Sequence, residues 1–256
     1  MTSTVPAITA RGVTVAYGAR VIQRDLNFTV QRGDIFIIMG GSGCGKSSLL
    51  RVLMGLTRPA AGSICYGDRD LWGCSPAERN SIMRTTGVMF QSGALWTSRT
   101  LAENVALPLE RYTNLSPADI QELARLKLAL VGLAGFENFY PSEISGGMKK
   151  RAGLARALAL DPEIVYFDEP SAGLDPVSSA RLDELIIQLR DTLGMTVVVV
   201  THELDSIFTI ASNSVFLDAQ TKTMAATGDP HRLIKNGPEA VVEFLTRGRS
   251  RHGEPK

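Results

Sequence analysis

Gly40-Gly-Ser-Gly-Cys-Gly-Lys46-Ser47 fits the spacing GxxxxGK[ST]. Glycines at Gly40, Gly41, Gly43 and Gly45, with Ser42 and Cys44 between them, let successive backbone N–H groups turn inward around an anion, and a helix that follows adds the positive end of its dipole. In such a loop Lys46 reaches the β- and γ-phosphates of a nucleotide, Ser47 ligates Mg²⁺, and Ser48 extends the cradle. Asp168 and Glu169 end the apolar run Ile164-Val-Tyr-Phe167. Asp168 suits direct or outer-sphere ligation of Mg²⁺, and Glu169 suits the base that polarises an attacking water. His202 ends a second such run, Val197-Val-Val-Val-Thr201, where an imidazole can hydrogen-bond a γ-phosphate from the same sheet edge. Together these groups predict hydrolysis of a nucleoside triphosphate.

The elements that must carry these residues can be read from periodicity. Val13, Val15 and Tyr17 alternate with small or polar residues, Val21 to Val30 alternates again, and Asp34 to Met39 is a continuous apolar run. The spacing therefore predicts three strands, the third fully buried. Apolar residues at 49, 50, 53 and 54 predict a helix from Lys46 to Leu56, closed by Gly55 and Pro59. Residues 97–160 are expected to form a mostly helical insertion, with helices at Pro117–Val131 and Ser145–Leu160. Strands at Ile164–Phe167 and Val197–Val200, separated by the amphipathic stretch Val177–Leu193, have βαβ spacing and imply a parallel sheet. The last twenty residues, rich in Arg, Gly and Pro, are expected to fray. The fold class expected is α/β, and the family resemblance set out below implies a P-loop NTPase with a parallel, RecA-like core sheet, an N-terminal antiparallel sheet and an inserted helical subdomain. The expected division is 1–96 and 161–235 for the ATPase core, 97–160 for the helical subdomain, and 236–256 for a C-terminal tail.

Composition narrows the function further. With 256 residues, 27 Lys+Arg and 26 Asp+Glu, the formal charge is +1, so no electrostatic excess advertises nucleic acid as a partner. Cys44, Cys65 and Cys74 include no CxxC pair, which argues for a reducing compartment over a disulfide framework or structural zinc. No leader-like segment and no stretch of roughly 18 apolar residues occurs, so the chain is expected to be neither secreted nor integral to a membrane.

Ser145-Gly146-Gly147 opens a predicted helix and exposes its N-terminal amides, an arrangement that attracts an anion. The adjoining Lys149, Lys150 and Arg151 read as a solvated face. With the phosphate loop, the two carboxylates, His202 and Ile144-Ser-Gly-Gly-Met148, residues 8–230 resemble the nucleotide-binding domains of ABC transporters. The resemblance implies that Tyr17 stacks on adenine and that Gln91 is the Q-loop glutamine that ligates Mg²⁺. It further implies that Ser171-Ala-Gly-Leu-Asp175 is the D-loop and that His202 is the switch histidine. It also implies a homodimer closed by two ATP molecules, in which Ser145, Gly146, Gly147 and Asp175 act in trans on the other subunit's nucleotide. The family usually has Leu-Ser-Gly-Gly-Gln, and Met148 cannot make the amide hydrogen bonds of that Gln.

Ser-Gly-Gly-Met148, Phe90-Gln-Ser-Gly-Ala-Leu-Trp-Thr97 and Glu103-Asn-Val-Ala-Leu-Pro-Leu109 narrow the resemblance to the ATPase subunits of Mla-type lipid transport systems, the MlaF-like proteins. That implies an integral MlaE-like permease, an MCE-domain protein reached through it, a small STAS-domain protein as a further partner, and a place on the cytoplasmic side of the bacterial inner membrane. The alternative is the ATPase subunit of an importer for a small solute such as an amino acid. A GTPase is disfavoured because no NKxD occurs, and non-transport ABC ATPases because there is one cassette and no long heptad insertion. Leu95, Trp96, Leu101, Val105 and Leu107 are expected to form either a permease-docking groove or the small core of the helical lobe. For Cys44, a thiolate stabilised by the helix that follows and a small inert residue both stand.

Overall fold

The computed structural model describes residues 5–91 and 93–246. Along the chain run β1 (Ile8–Tyr17), β2 (Arg20–Val30), β3 (Ile35–Gly40), α1 (Lys46–Leu53), β4 (Ala61–Tyr66), β5 (Arg69–Asp70) and α2 (Pro76–Arg84). These are followed by β6 (Thr86–Met89), α3 (Leu101–Tyr112), α4 (Pro117–Leu130), α5 (Gly146–Ala157), β7 (Ile164–Asp168) and α6 (Pro176–Leu193). Last come β8 (Thr196–Val200), α7 (Leu204–Ile210), β9 (Asn213–Asp218), β10 (Thr223–Thr227), α8 (Pro230–Asn236) and α9 (Glu239–Thr246). The chain forms two compact units, one drawn from residues up to Ile82 and from Thr196 onward, the other from Met83–Met195.

In the first unit β3 lies between β8 and β9 and parallel to both, with Ile38 opposite Val200 and Met39 opposite Phe216. Every residue of β3 and β8 is buried, as a parallel sheet covered on both faces requires, and this accounts for the unbroken apolar runs. β10 pairs antiparallel with β9 at the edge. A separate antiparallel sheet has the order β2-β1-β4-β5. A bulge interrupts β2: its partners step from Leu26 to Gln23 while β1 steps only from Val13 to Val15, and Asp25 takes up a left-handed φ of 50°.

The expectation that the last twenty residues fray fails for the described part. After α8, which Pro230 and its N-cap Asp229 start, α9 lies within those residues, buries Val241 and Leu245 and sets Phe244 edge-on to Phe216. Residues 247–256 lie outside the described part.

In the second unit β6 and β7 pair in parallel, with Met89 opposite Phe167. The long intervening segment is helical. Thr100 and Glu103 form a reciprocal capping box at the start of α3, and Ser116 with Pro117 starts α4. Leu101, Val105 and Leu109 face inward from α3 and are fully or almost fully buried, so of the apolar residues expected in a groove Leu101 and Val105 are core. Burial of each stabilises the unit by about 1.5–3 kcal/mol. Trp96 differs, at 56% exposed.

The reading of Lys149–Arg151 as a solvated face is corrected at two positions. Lys150 is 6% exposed, with its ammonium on backbone carbonyls of the segment after β7. Arg151 donates to Val131 O and Gly132 O at the end of α4, helix-terminal carbonyls without intrahelical partners.

Candidate functional site

The glycine loop joins β3 to α1 in the first unit. Gly40 has φ 149°, and a side chain there would come within 2.4 Å of Leu217 O. Gly45 has φ 101°, and a Cβ would meet Ile22 at 2.5 Å. The pattern is thus fixed by two close approaches. Lys46 Nζ donates to Gly40 O and Gly41 O, each at 3.0 Å, so the ammonium arches across the loop from the first turn of α1. No side chain caps α1, which leaves its leading amides to an anion, whereas Ser145, Asp175 and Asp229 cap their own helices. Ser47 is exposed in the first turn.

Two further expected residues sit in this unit. Tyr17 ends β1, is 45% exposed, and has its hydroxyl 3.3 Å from Ser48 Oγ. His202 is exposed just beyond β8, and because β3 and β8 are parallel with Ile38 opposite Val200, His202 and the start of the glycine loop leave the same carboxyl edge. Cys44 is buried, and burial pushes its thiol up, with the nearby Lys46 ammonium only partly opposing. Of the two readings of Cys44, the structure favours the inert thiol.

Gln23 was not visible as a site residue. It is fully buried on β2, and its Nε2 donates to Cys44 O at 2.7 Å and Asp218 O at 2.9 Å, bracing the glycine loop against the end of β9. Sequence did not single it out, because β2 carries a second amide at Asn27 and the bulge breaks its alternation.

In the second unit the parallel pair β6–β7 brings Gln91 and the Asp168–Glu169 pair to one carboxyl edge. Glu169 has φ 50° and precedes Pro170, a left-handed conformation that costs a non-glycine residue about 1–2 kcal/mol. Such strain persists where surrounding contacts over-determine it, and it gathers at working sites. Ser145 is the exposed N-cap of α5, accepting from Met148 N–H at 3.3 Å, while Gly146 has open space around it. Asp175 caps α6 through the N–H groups of Val177 and Ser178, and its hydrogen bonds with Ser178 hold its carboxyl below the usual range. Ser145, Gly147, Leu174 and Ser178 line one open cleft of about 580 Å³, so the expected signature and D-loop residues adjoin.

Two more residues of this unit escaped the sequence reading. Arg156, on α5, forks onto Gly93 O and Ala94 O at 2.8 Å each and so holds the segment just after Gln91. Asn104 is fully buried on α3, accepts from Trp96 N–H at 2.7 Å and donates to Trp96 O, Arg99 O and Thr100 O. It fixes the turn that presents Trp96. Both are polar residues inside helices, whose acceptors are backbone atoms that sequence does not display.

Residues 23–172 match the model of the family described as ABC transporter. The chain is 40% identical over 243 residues to the "Probable ribonucleotide transport ATP-binding protein mkl" of Mycobacterium tuberculosis, covering 95% of this chain and 67% of that protein. It is 38% identical over 235 residues to the "Intermembrane phospholipid transport system ATP-binding protein MlaF" of Escherichia coli K12, covering 92% of this chain and 87% of that protein. Among solved structures, the dimeric post-hydrolysis ATP-binding cassette MJ0796 bound to ADP and Pi aligns with a TM-score of 0.76 at 28% identity, over 87% of this chain and 98% of that one. By the family match, the identity to MlaF over most of its length and the α/β fold, the chain belongs to the ABC transporter family and is one of its ATPases.

Proposed function

We propose that this ATPase is the motor subunit of a transporter that moves phospholipid between bacterial membranes, working as a homodimer on the cytoplasmic face of an integral MlaE-like permease. An MCE-domain protein joins through the permease, and a small STAS-domain protein is a further partner. The observation that carries this reading is the 38% identity to MlaF across 92% of the chain. Among the described residues no helix is long and apolar enough to cross a membrane, so on this reading the lipid path belongs to the permease. Trp96, exposed on a turn braced by Asn104, supports a docking role.

In the proposed reaction Tyr17 stacks on adenine, and the loop amides from Gly40 to Gly45 with Lys46 hold the phosphates. Ser47 and Gln91 offer oxygens to Mg²⁺, with Asp168 in support. No group of three or more His, Cys, Asp or Glu suited to a metal occurs among the described residues, and one hydroxyl, one amide and one carboxylate suit an ion that keeps phosphate oxygens and water. The ion would neutralise charge on the phosphates. Glu169 accepts the proton of the attacking water, His202 contacts the γ-phosphate, and Ser145, Gly146, Gly147 and Asp175 act on the nucleotide of the partner subunit.

The second reading, an importer of a small solute, has the ribonucleotide named for the mkl relative behind it. The test is reconstitution with the cognate permease in lipid vesicles. Phospholipid exchange that depends on ATP and stops in the Glu169→Gln variant supports the proposal, whereas ATP-driven uptake of a ribonucleotide with no lipid movement supports the importer. On size-exclusion chromatography with Mg-ATP, the same variant should remain dimeric.

A further inference from the structure

We propose that Lys150 is a positioning residue for Glu169, holding the backbone from which the base projects; this rests on the reading of Glu169 as the base. The ammonium of Lys150, buried on α5, donates to Glu169 O at 3.3 Å and to Ala172 O at 2.9 Å. Ala172 N–H also returns to Glu169 O, at 3.3 Å, so residues 169–172 form a turn whose two end carbonyls Lys150 clasps. Pro170 sits at the second position of the turn, where its fixed φ belongs. The residue before a proline avoids the right-handed helical region, and Glu169 takes the left-handed one at φ 50°.

That geometry needs an external hold, and a cation supplies it. A charge-assisted hydrogen bond is stronger than a neutral one, and two carbonyl dipoles aimed at one buried ammonium offset its lost hydration. The clasp also fixes the direction in which Glu169 leaves the backbone, because a left-handed φ sets the Cβ vector. Lys150 lies on the helix that Ser145 caps, so the helix presenting the signature serine also sets the posture of the base.

The experiment measures ATP hydrolysis, ATP affinity and thermal melting for full-length wild type, Lys150→Met, Lys150→Gln and Glu169→Gln with Mg-ATP. The expectation for Lys150→Met is a kcat lowered on the order of 10- to 100-fold, with KM and ATP affinity within about twofold, because a displaced base loses rate and not binding. Lys150→Gln keeps a neutral N–H donor group and should recover part of kcat; if Lys150→Met does not fold, the Gln variant carries the test with an intermediate loss. Wild-type kcat in a folded Lys150 variant, or ATP affinity lost in parallel with kcat, overturns the proposal while leaving the base in place, provided Glu169→Gln is inactive. Turnover in Glu169→Gln overturns the reading of the base and this proposal with it.

Discussion

The phenolic hydroxyl of Tyr17 donates to Ser48 Oγ across 3.3 Å, tying the end of β1 to the first turn of α1. The ring expected to stack on the base is thereby held at a set reach from Lys46, two residues before Ser48. Because the bond is exposed, its loss should matter little compared with loss of the ring. Tyr17→Phe should leave the Kd for ATP within about twofold, and Tyr17→Ala should raise it on the order of 10-fold, since stacking of a base on an aromatic ring contributes about 1–3 kcal/mol. Titration with a fluorescent ATP analogue checks both.

Gln23 braces the glycine loop from beneath. Gln23→Leu removes two buried hydrogen bonds and should lower stability by about 2 kcal/mol, softened because Oε1 of Gln23 has no partner and an apolar side chain removes that defect. The affinity for ATP should fall as well, because the Cys44 carbonyl loses its anchor. Urea unfolding with and without Mg-ATP separates the two effects.

Asn104 and Trp96 make a contrasting pair. Asn104→Ala deletes the hub of four hydrogen bonds and should cost about 2–4 kcal/mol, read as a lowered melting temperature. Trp96→Ala, at an exposed site, should leave melting and ATP binding unchanged but weaken co-purification with the cognate permease. Unchanged assembly would remove Trp96 from docking.

The thiol of Cys44 titrates above the ordinary range because burial disfavours the thiolate more than Lys46 favours it. The fraction ionised is therefore small at neutral pH and grows only as pH rises past the normal thiol value. Labelling of Cys44 by iodoacetamide should be slow at pH 7.5, should accelerate in alkaline buffer, and should be slowed by Mg-ATP. Rapid labelling at neutral pH would contradict this environment.

Where chemistry was contiguous, the sequence displayed it. Gly40 to Ser47 is one uninterrupted motif, β3 and β8 are apolar on both faces, and the start of α6 carries its own Asp175 cap and Pro176. Lys150 looked solvated because two charged neighbours flank it, while its acceptors lie about twenty residues further along the chain. Gln23 was hidden by the bulge at Asp25, which shifts by one residue the side chains of β2 that face inward. The short strands β4 and β5 carry little pattern of their own; β4 pairs with β1, and the two-residue β5 pairs only with β4. The basic composition of the final ten residues masked α9, whose burial rests on Val241 and Leu245.

A side chain at Gly153 would bring its Cβ within 2.9 Å of Gly93 Cα, so α5 and the segment after Gln91 meet backbone against backbone. Side chains elsewhere act as cushions, since a rotamer change can absorb a small shift of a helix. Here only hydrogen atoms intervene, and Arg156 rivets the same segment through Gly93 O and Ala94 O. A small roll of α5 therefore has no slack to take up and passes undiminished to the chain next to Gln91. The joint is a stiff gear tooth, in which even one methyl group at position 153 would force the teeth apart.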